Sequence, residues 1–500
     1  MQTRAKTRTL AELGLTARQG HDIRVTGLSV DSRDVKEGHL FFALPGTKVH
    51  GAEYIQYAIR MKAGAVLTDR EGAQIAERVL SESGVPLIIA EDPRETLAFT
   101  ASLWFEAQPE VMVAVTGTNG KTSVATFTRQ LWVEMGAEAV NIGTTGIEGA
   151  LTAPLQHTTP EPITLHKALA RLAEEGVTHA AMEASSHGLA QRRLDGVRLL
   201  AAAFTNLSQD HLDYHASFEE YFAAKAGLFD RVLPEDGTAV INMDDPWGPR
   251  MAEIVDDRGQ DLLTVGRDDM ATLRILGQRY DATGQELRFE WGGKIHQVRL
   301  GLIGGFQAEN ALIAAGLCIA TGADPDETFD ALHTLQTVRG RMQFAARRDN
   351  GATVFVDYAH TPDALATALK AIRPHVFGRL IVVFGAGGDR DRGKRPLMGR
   401  AAADHADVAF VTDDNPRSED AAAIRAEILA GARKGAAEVY EVGDRAEAIL
   451  RAVDALGPGD TLLVAGKGHE TGQIIGDAIL PFDDVEQSSV AVAALDGRPS

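Results

Sequence analysis

The sequence predicts an α/β protein of three domains, built mostly from parallel sheets. Two observations support this prediction. Short apolar runs, of the length of buried strands, alternate with amphipathic helical stretches through most of the 500 residues. Several of the runs end in loops rich in glycine and polar residues, where α/β proteins place their ligand sites. The apolar runs occupy 64–67, 86–90, 111–115, 179–182, 201–204, 239–241, 380–384, 408–411 and 462–465.

Length and pattern divide the chain into three predicted domains. A usual domain has about 150 residues, so 500 residues suggest three. Residues 1–108 carry short strands and helices of their own. Residues 109–337 form a central domain in which one segment, 262–303, alternates apolar and polar residues and therefore predicts antiparallel strands. Residues 338–500 form a third domain with a separate α/β pattern.

Composition narrows the class of protein. A net charge of −20 argues against a general binder of nucleic acid or of anionic membranes. No apolar run approaches the ~18 residues of a membrane span, and the basic N-terminus has no apolar segment after it. The single cysteine, Cys318, lies in an apolar helical pattern and is expected in the core. We therefore expect a cytoplasmic protein with neither nucleic acid nor membrane as partner.

The most informative segment begins at Val111, where a buried strand leads into a glycine-containing loop and then a helix. Such a loop cradles phosphate oxygens with backbone N–H groups, while a lysine reaches the terminal phosphates and a hydroxyl binds Mg²⁺. The general NTPase pattern has glycine where this chain has Val115, so the loop departs from that form. The predicted phosphate-binding residues are Gly117, Thr118, Asn119, Gly120, Lys121, Thr122 and Ser123.

Three other features of the central domain suggest chemistry. Glu183 follows a strand, and a carboxylate beside a phosphate loop can hold Mg²⁺. The polar loop 205–215 contains His211, which could bind a second metal or orient phosphate. Lys225 lies among small and apolar residues; a lysine there either extends its charged end to solvent or changes protonation state, and the residues alone favour solvent.

The third domain has polar motifs after three of its strands. Asp357–His360 ends one strand, and the loop 385–395 follows the next. That loop superficially resembles a dinucleotide fingerprint, but its sixth position is Arg390, so NAD binding is rejected. Four basic residues of the loop predict a local site for carboxylates or phosphates; they are Arg390, Arg392, Lys394 and Arg395. Asp414–Arg417 offers carboxylate, amide and guanidinium groups that could hold a zwitterion.

Taken together, these motifs resemble the Mur ligases of peptidoglycan synthesis, in the family's order and over nearly the whole chain. The matching segments are Thr116–Thr122, Glu183–His187, Asp210–His215, Lys225, Asn310, Arg339–Arg341, Asp357–His360 and Asp414–Arg417. Within the family, the chain is most similar to the enzymes that extend UDP-N-acetylmuramoyl-L-alanyl-D-glutamate. The Asp414–Arg417 motif resembles the form that adds meso-diaminopimelate rather than lysine.

The resemblance implies an ATP-dependent, ADP-forming amide ligase that works as a monomer with Mg²⁺. It implies a central P-loop-type ATP-binding domain, a C-terminal Rossmann-like domain that binds the amino acid and an N-terminal domain that binds the uridine nucleotide. Lys121, Lys225, His211 and Glu183 match catalytic positions. Metal ligation is implied for Thr122, Glu183, His211 and a carbamylated Lys225. For Lys225 this implication opposes the solvated position that the neighbouring residues alone favour.

The resemblance also assigns substrate contacts. Asn310 and Arg341 match positions that contact ATP. The UDP-muramoyl-dipeptide is assigned to Val30, Ser32, Thr158, Thr159, Ser185, Gln191 and Arg193, with the loop 47–49. Diaminopimelate is assigned to Arg390, Asp414, Asn415, Pro416, Arg417, Gly466 and Glu470.

Two alternative functions remain open. A folylpolyglutamate synthase resembles this architecture, but it offers no reason for the Asp414–Arg417 motif. A nucleotide switch or ATPase scaffold would use the phosphate loop without needing the basic residues of the third domain. Phosphate release from ATP discriminates among the three, because a ligase releases phosphate only when both of its other substrates are present.

Overall fold

The computed structural model describes residues 6–18, 22–46, 49–155, 157–208, 215 and 217–497. The chain forms two compact units. Unit 1 comprises residues 1–272 and 313–328, and unit 2 comprises residues 273–312 and 329–500. Among the described residues, no helix is both long and apolar enough to cross a lipid bilayer.

Unit 1 contains thirteen strands and nine α-helices within its described residues. The strands are β1 (Arg8–Thr9), β2 (Arg24–Val25), β3 (Gly27–Ser29), β4 (His39–Phe42), β5 (Ala65–Thr68), β6 (Leu87–Ile89), β7 (Val111–Thr116), β8 (Ala139–Gly143), β9 (Gly146–Gly149), β10 (His179–Glu183), β11 (Ala201–Phe204), β12 (Thr238–Asn242) and β13 (Asp261–Gly266). The helices are α1 (Ile55–Arg60), α2 (Arg70–Ile75), α3 (Glu77–Ser83), α4 (Pro93–Phe105), α5 (Lys121–Glu134), α6 (Pro162–Glu174), α7 (Ser186–Ala190), α8 (Phe218–Gly227) and α9 (Gly248–Asp257). Two further helices, α10 (Phe306–Ala320) and α11 (Pro325–Ala331), contain residues of both units.

Two mainly parallel sheets organise unit 1. The first has the order β3-β4-β5-β6, with every pair parallel. The larger one follows the order β13-β12-β11-β7-β10-β8-β9, and only its last pair is antiparallel. The strand β7 lies in the middle of this sheet with neighbours on both sides, so its residues 112–116 are buried. This burial on both faces explains why the run 111–115 is entirely apolar.

Several helices begin where the sequence places a capping residue before a proline. The Asp92 carboxylate accepts hydrogen bonds from two backbone N–H groups at the start of α4, and Pro93 follows it. Glu161 caps α6 in the same way, with Pro162 as the next residue. Such a proline needs no hydrogen bond at the first helical position, so these local signals fix where the helices start.

Unit 2 contains eleven strands and, besides its parts of α10 and α11, five α-helices within its described residues. The strands are β14 (Leu273–Asp281), β15 (Gly284–Trp291), β16 (Lys294–Leu300), β17 (Gln343–Arg347), β18 (Thr353–Asp357), β19 (Leu380–Phe384), β20 (Val408–Val411), β21 (Glu438–Glu441), β22 (Thr461–Ala465), β23 (Gly472–Ile475) and β24 (Ala478–Pro481). The helices are α12 (Pro362–Ile372), α13 (Lys394–His405), α14 (Ala421–Ala432), α15 (Arg445–Asp454) and α16 (Asp484–Leu495).

The main sheet of unit 2 has the order β17-β18-β22-β19-β20-β21. Its pairs are parallel except for β17 with β18. A buried ion pair lies near the end of β22: the Arg445 guanidinium contacts the Asp484 carboxylate at 2.7 Å and donates to the Ala465 carbonyl at 3.0 Å. The pair therefore ties α15 and α16 to this strand.

The predicted α/β class with mostly parallel sheets is confirmed, and Cys318 is buried as expected. The antiparallel prediction for 262–303 rests on the alternating runs 273–276, 286–291 and 296–300, and it is confirmed by β14, β15 and β16. At the start of the same segment β13 pairs in parallel with β12. The partner of a strand depends on tertiary contacts that a local alternation of residues does not encode.

Candidate functional site

The phosphate loop joins β7 to α5 and turns at two glycines. Gly117 has φ 146° and Gly120 has φ 86°, a region in which other residues are strained. A side chain at Gly117 would also overlap the Thr205 hydroxyl. The helix α5 begins at Lys121, directly after Gly120, so its first turn follows the loop as the sequence predicted.

The loop after β11 holds the phosphate loop in shape. The Asn206 carbonyl accepts from Thr118 N at 2.8 Å, and its side-chain oxygen accepts from Asn119 N at 2.9 Å. The Thr205 hydroxyl donates to the Asn119 carbonyl at 2.6 Å. The phosphate loop is thus fixed by contacts that do not depend on a ligand. The predicted His211, farther along the same segment, lies outside the described residues.

Two lysines contact the carbonyl groups of this loop. Lys121 Nζ donates to the carbonyls of Gly117 and Thr118, both at 2.8 Å. Lys225 Nζ donates to the Gly117 carbonyl at 2.6 Å and lies 4.6 Å from the centre of the Tyr221 ring. Lys225 is only 1% exposed, so the solvated position expected from the residues alone is wrong.

Glu183 ends β10 next to the start of α5. Its Oε1 accepts from the Thr122 hydroxyl at 3.0 Å and from Thr144 N at 2.8 Å. A side chain at Gly143 would overlap this carboxylate, so glycine is needed there for the carboxylate to reach its partners. A hydroxyl and a carboxylate 3.0 Å apart, beside a phosphate loop, are the oxygen donors that Mg²⁺ uses with nucleotide phosphates.

The described residues form no cluster of three or more histidine, cysteine, aspartate and glutamate side chains that could hold a metal alone. Mg²⁺ in nucleotide sites takes one or two protein ligands and completes its shell with phosphates and water, and Thr122 and Glu183 would supply that number. The protein ligands and a nucleotide would therefore share the ion.

Five residues assigned to the UDP-muramoyl-dipeptide form one network beside Glu183. The Thr159 hydroxyl donates to the Glu183 carbonyl at 2.9 Å and accepts from Ser185 N at 3.0 Å. Arg193 donates to the Thr159 carbonyl at 2.6 Å and to Gln191 Oε1 at 2.8 Å. The remaining residue of the five, Thr158, is hydrogen-bonded to the Thr144 hydroxyl at 3.1 Å. The structure thus places these predicted substrate contacts next to the predicted metal ligand.

The two other residues assigned to this substrate are Val30 and Ser32, which are half-buried and follow β3. Between them, the Asp31 carboxylate contacts the Arg33 guanidinium at 2.5 Å. In the loop 47–49, only Val49 lies within the described residues. The uridine contacts therefore stay predictions.

The two remaining residues assigned to ATP belong to unit 2. Asn310 is buried in α10, and its amide donates to Gln307 Oε1 at 3.0 Å. The Arg341 guanidinium lies 5.1 Å from the centre of the Tyr358 ring. Their assignment to ATP stays a prediction.

A cavity of about 230 Å³ opens at the carboxyl edge of the unit 2 sheet. Its walls come from the loops after four parallel strands. In the sheet these strands are neighbours in the order β18, β22, β19 and β20, whereas β22 is the last of the four in the sequence. The lining residues are Tyr358, His360, Gly385, Ala386, Gly387, Arg390, Lys394, Asp414, Asn415, Arg417, Gly466 and Glu470. Six of the seven residues assigned to diaminopimelate line it, and the seventh, Pro416, lies between two of them.

The cavity contains both signs of charge. Arg390, Arg417 and Lys394 are cationic, whereas Asp414 and Glu470 are anionic. Arg417 adopts φ 52° and donates to the Gly388 carbonyl at 2.8 Å, which fixes its guanidinium on the cavity wall. A ligand that carries both ammonium and carboxylate groups would therefore meet a partner for each.

Burial perturbs several groups around this cavity. Desolvation lowers the pKa of the Lys394 ammonium, and it raises the pKa of the Tyr358 phenol, with a smaller contribution from the Glu470 charge. Desolvation also raises the pKa of Asp357, which ends β18 and accepts backbone hydrogen bonds from Met342 at 2.8 Å and Ala359 at 2.9 Å.

The predicted basic site of four residues is wrong in part. Arg390 and Lys394 line the cavity, but Arg395 is fully buried and paired with Glu419 at 2.7 Å and Glu427 at 3.0 Å. Arg392 pairs with the same two carboxylates at 3.3 Å. A guanidinium between two carboxylates is held in place by them, so these two arginines stabilise the loop.

The sequence interpretation gave no ligand role to Tyr358 and His360 of the lining, or to the buried Lys467. Lys467 Nζ donates to Asn415 Oδ1 at 3.0 Å and to Glu470 Oε2 at 3.1 Å. A lysine between two glycines, Gly466 and Gly468, directly after a strand was the feature of the sequence that could have indicated a role for Lys467.

The chain matches three sequence families along its length. Residues 24–105 match "Mur ligase family, catalytic domain", residues 115–318 match "Mur ligase middle domain" and residues 340–468 match "Mur ligase, glutamate ligase domain".

Its relatives include the UDP-N-acetylmuramoyl-L-alanyl-D-glutamate--2,6-diaminopimelate ligases of Brucella melitensis biotype 1 and Rhizobium meliloti. The chain is 49% and 50% identical to them, with 95% of each chain covered in both cases. A solved structure of a ligase with the same name superposes with a TM-score of 0.76 at 34% identity, covering 98% of this chain and 99% of that one. A folylpolyglutamate synthase of Mycobacterium tuberculosis is 21% identical, with a TM-score of 0.58 over 81% of this chain and 95% of that one, which shows a shared fold.

Proposed function

The chain belongs to the Mur ligase family, and we propose that it joins meso-2,6-diaminopimelate to UDP-N-acetylmuramoyl-L-alanyl-D-glutamate. It is an ATP-dependent, ADP-forming ligase that makes an amide bond in peptidoglycan precursor synthesis. The observation that carries the choice of amino acid is the cavity of unit 2, which is lined by Arg390 and Arg417 together with Asp414 and Glu470. Diaminopimelate has an ammonium and a carboxylate at each end, so it fits a wall of mixed charge.

The reaction begins with the D-glutamyl carboxylate, which is a poor acylating agent because its oxygen leaves badly. Its attack on the γ-phosphorus of ATP forms an acyl phosphate and releases ADP. The phosphate loop supplies backbone N–H groups, and Lys121 supplies a charge that moves from the loop carbonyls to the terminal phosphates. Thr122 and Glu183 would hold Mg²⁺, which neutralises phosphate charge when it is bound.

In the second step a neutral amine of diaminopimelate attacks the acyl carbon. The new C–N bond forms, the C–O bond to phosphate breaks and the amine loses a proton, so the products are the amide and inorganic phosphate. Positioning both reactants replaces a bimolecular collision, which can be worth roughly 7–11 kcal/mol of the barrier. Thr159, Ser185, Gln191 and Arg193 bind the dipeptide end in this assignment.

Lys225 acts as a carbamate in this proposal. Its neutral amine adds CO₂, loses a proton and becomes an anionic oxygen donor. Burial at 1% exposure, against the Gly117 carbonyl, supports this role, because a carbamate in this position would lie beside the phosphate loop. His211, which also matches a metal-binding position, completes the proposed catalytic set.

The remaining assignments follow the same proposal. Residues 1–108 bind the uridine nucleotide, residues 109–337 bind ATP and residues 338–500 bind the amino acid. Val30 and Ser32 contact the uridine nucleotide, while Asn310 and Arg341 contact ATP. The enzyme works as a monomer in the cytoplasm.

An amine-acceptor panel tests the function. Purified protein receives ATP, Mg²⁺ and UDP-N-acetylmuramoyl-L-alanyl-D-glutamate with meso-diaminopimelate, L-lysine, L-ornithine or L-glutamate, and released phosphate and product mass are measured. We expect phosphate and a product only with meso-diaminopimelate. Phosphate release without any acceptor would indicate an ATPase scaffold. Activity with glutamate and a folate carrier would indicate a folylpolyglutamate synthase.

A further inference from the structure

We propose that Lys467 is a positioning residue that fixes Glu470 for the ammonium group of the incoming amino acid. The inference rests on the proposed function, since it takes Glu470 as a ligand-binding residue. Lys467 is fully buried, whereas the Glu470 side chain is 34% exposed on the cavity wall. Lys467 therefore acts on the ligand through Asn415 and Glu470, the two lining residues to which it donates hydrogen bonds.

The hydrogen bonds converge on one oxygen of Glu470. Oε2 accepts from Lys467 Nζ at 3.1 Å and from the Asn415 amide at 2.9 Å. Lys467 Nζ also donates to Asn415 Oδ1 at 3.0 Å, and Ile474 N donates to the same atom at 2.9 Å. The three side chains form a closed triangle, which locks both the Asn415 amide and the rotamer of Glu470. The other carboxylate oxygen, Oε1, can then serve the ligand.

The backbone is shaped to place this lysine. Gly466 and Gly468 have φ 121° and 55°, a region that favours glycine. A side chain at Gly466 would come within 2.7 Å of the Asp414 carboxylate, and one at Gly468 within 2.7 Å of Tyr358 Cβ. The turn therefore has no room for side chains at its two glycines, and it directs only the lysine between them inward, beneath Asn415 and Glu470.

Charge explains why a lysine is used. A carboxylate that binds a ligand ammonium must be held in one orientation before the ligand arrives. The buried Lys467 Nζ donates a charge-assisted hydrogen bond to Glu470 Oε2, and this bond restricts rotation of the carboxylate. Without Lys467 the ligand itself would have to order Glu470, which weakens binding of the amino acid and leaves ATP binding unchanged.

The test compares Lys467→Met, Glu470→Gln and the double variant with the wild type in the full-length enzyme. We expect Lys467→Met to raise the KM for diaminopimelate at least tenfold and to leave the KM values for ATP and the UDP-substrate within about twofold. Because the lysine acts through Glu470, the double variant should have a KM within about threefold of the larger single effect rather than the product of both.

Arg348→Met is the control for losing a mostly buried, paired cation, since the Arg348 side chain is 14% exposed. Arg348 also belongs to unit 2 and pairs with Asp496 at 2.7 Å, but it lies beyond the amino-terminal end of β18, opposite the cavity edge. We expect it to lower the melting temperature and to leave the KM for diaminopimelate within about twofold. If Lys467→Met does not fold, Lys467→Gln, which keeps a donor but no charge, is measured by the same criteria.

Three results would overturn the inference: an unchanged KM for diaminopimelate in a folded Lys467 variant, an equal rise of all three KM values, or independent effects in the double variant. They are distinct from failure of the proposed function, which appears in the wild type as failure to use diaminopimelate in the acceptor panel.

Discussion

Lys121 and Lys225 donate hydrogen bonds to the same carbonyl oxygen, that of Gly117, at 2.8 and 2.6 Å. Their ammonium groups therefore lie no farther apart than these two bonds laid end to end. Two cations at this spacing repel each other and attract an anion. A nucleotide phosphate that draws Lys121 away, or a carbamate on Lys225, would relieve this repulsion. The two lysines thus place positive charge at the phosphate loop, which favours an anionic ligand before one binds.

Replacing Lys121 by alanine should reduce substrate-dependent phosphate release by at least ~10²-fold, because the terminal phosphates lose a positioned charge. Far-UV circular dichroism should stay unchanged, since Lys121 Nζ donates hydrogen bonds to the loop carbonyls of Gly117 and Thr118 and these bonds hold no helix or strand together. Lys370→Ala, on the exposed side of α12, is the control and should keep full activity. Near-normal turnover in folded Lys121→Ala would show that this loop is not the ATP site.

Replacing Lys225 by alanine should remove most activity, and short carboxylates such as acetate or propionate should restore part of it. The carboxylate would occupy the place of the carbamate and return its negative charge. A second measurement uses ¹³C-bicarbonate: the wild type should show a carbamate carbon signal in the NMR spectrum, and the alanine variant should not. Full activity of Lys225→Ala would show that Lys225 has no role in catalysis.

Replacing Arg417 by alanine should raise the KM for diaminopimelate about 30-fold or more, since loss of one partner of a buried charge pair costs about 2–5 kcal/mol. The far carboxylate of diaminopimelate, which lysine lacks, is the group that needs this guanidinium. The KM for ATP should change little. Arg433→Ala, at the exposed end of α14, is the control. Unchanged diaminopimelate kinetics, or use of L-lysine by the wild type, would refute the assignment.

Acid should destabilise the protein through His166. Burial, with a smaller contribution from Arg198, lowers the pKa of His166 to about 4, and its Nε2 has no hydrogen-bond partner among the described residues. In the unfolded chain the histidine has a pKa of about 6.5, so it binds a proton at pH values between about 4 and 6.5. In the folded protein His166 stays neutral over this pH range. Stability from this group is therefore complete above about pH 6.5 and falls as the pH drops toward 4.

Chemical denaturation of the wild type and of His166→Gln measures this effect. Between pH 7.5 and 5 the difference in free energy of unfolding should move by about 2 kcal/mol in favour of the variant, which has no group to protonate. A constant difference over this range would show that His166 is protonated equally in both states.

The features predicted correctly from the sequence are those encoded locally. The phosphate loop needs a strand, a glycine-containing turn and a helix start within a dozen residues, and the structure has all three, with positive φ angles at Gly117 and Gly120. The polar motifs that follow strands of the third domain meet in the unit 2 cavity, because the carboxyl ends of parallel strands share one edge. The roles of single residues came from the family resemblance, and those roles stay predictions.

The features that the sequence interpretation missed depend on distant partners. Arg395 looked like part of a basic ligand site, but Glu419 and Glu427, which pair with it, come from other elements. Lys225 looked solvated because its acceptor, Gly117, lies 108 residues earlier. Burial of this kind is set by the assembled fold, so no pattern near the residue reveals it.

The assembly of the unit 2 cavity has a consequence for synthesis of the chain on the ribosome. Its wall begins at Tyr358 and is complete only at Glu470, and the Arg445–Asp484 pair that ties α15 and α16 to β22 needs residues later still. The strand β22 lies between β18 and β19, so the sheet has a gap at its centre until the segment 461–465 has emerged and inserted. A nascent chain stalled before this segment would expose two unpaired strand edges. Synthesis of residues 461–484 therefore closes strand edges that would otherwise be open to aggregation and proteolysis.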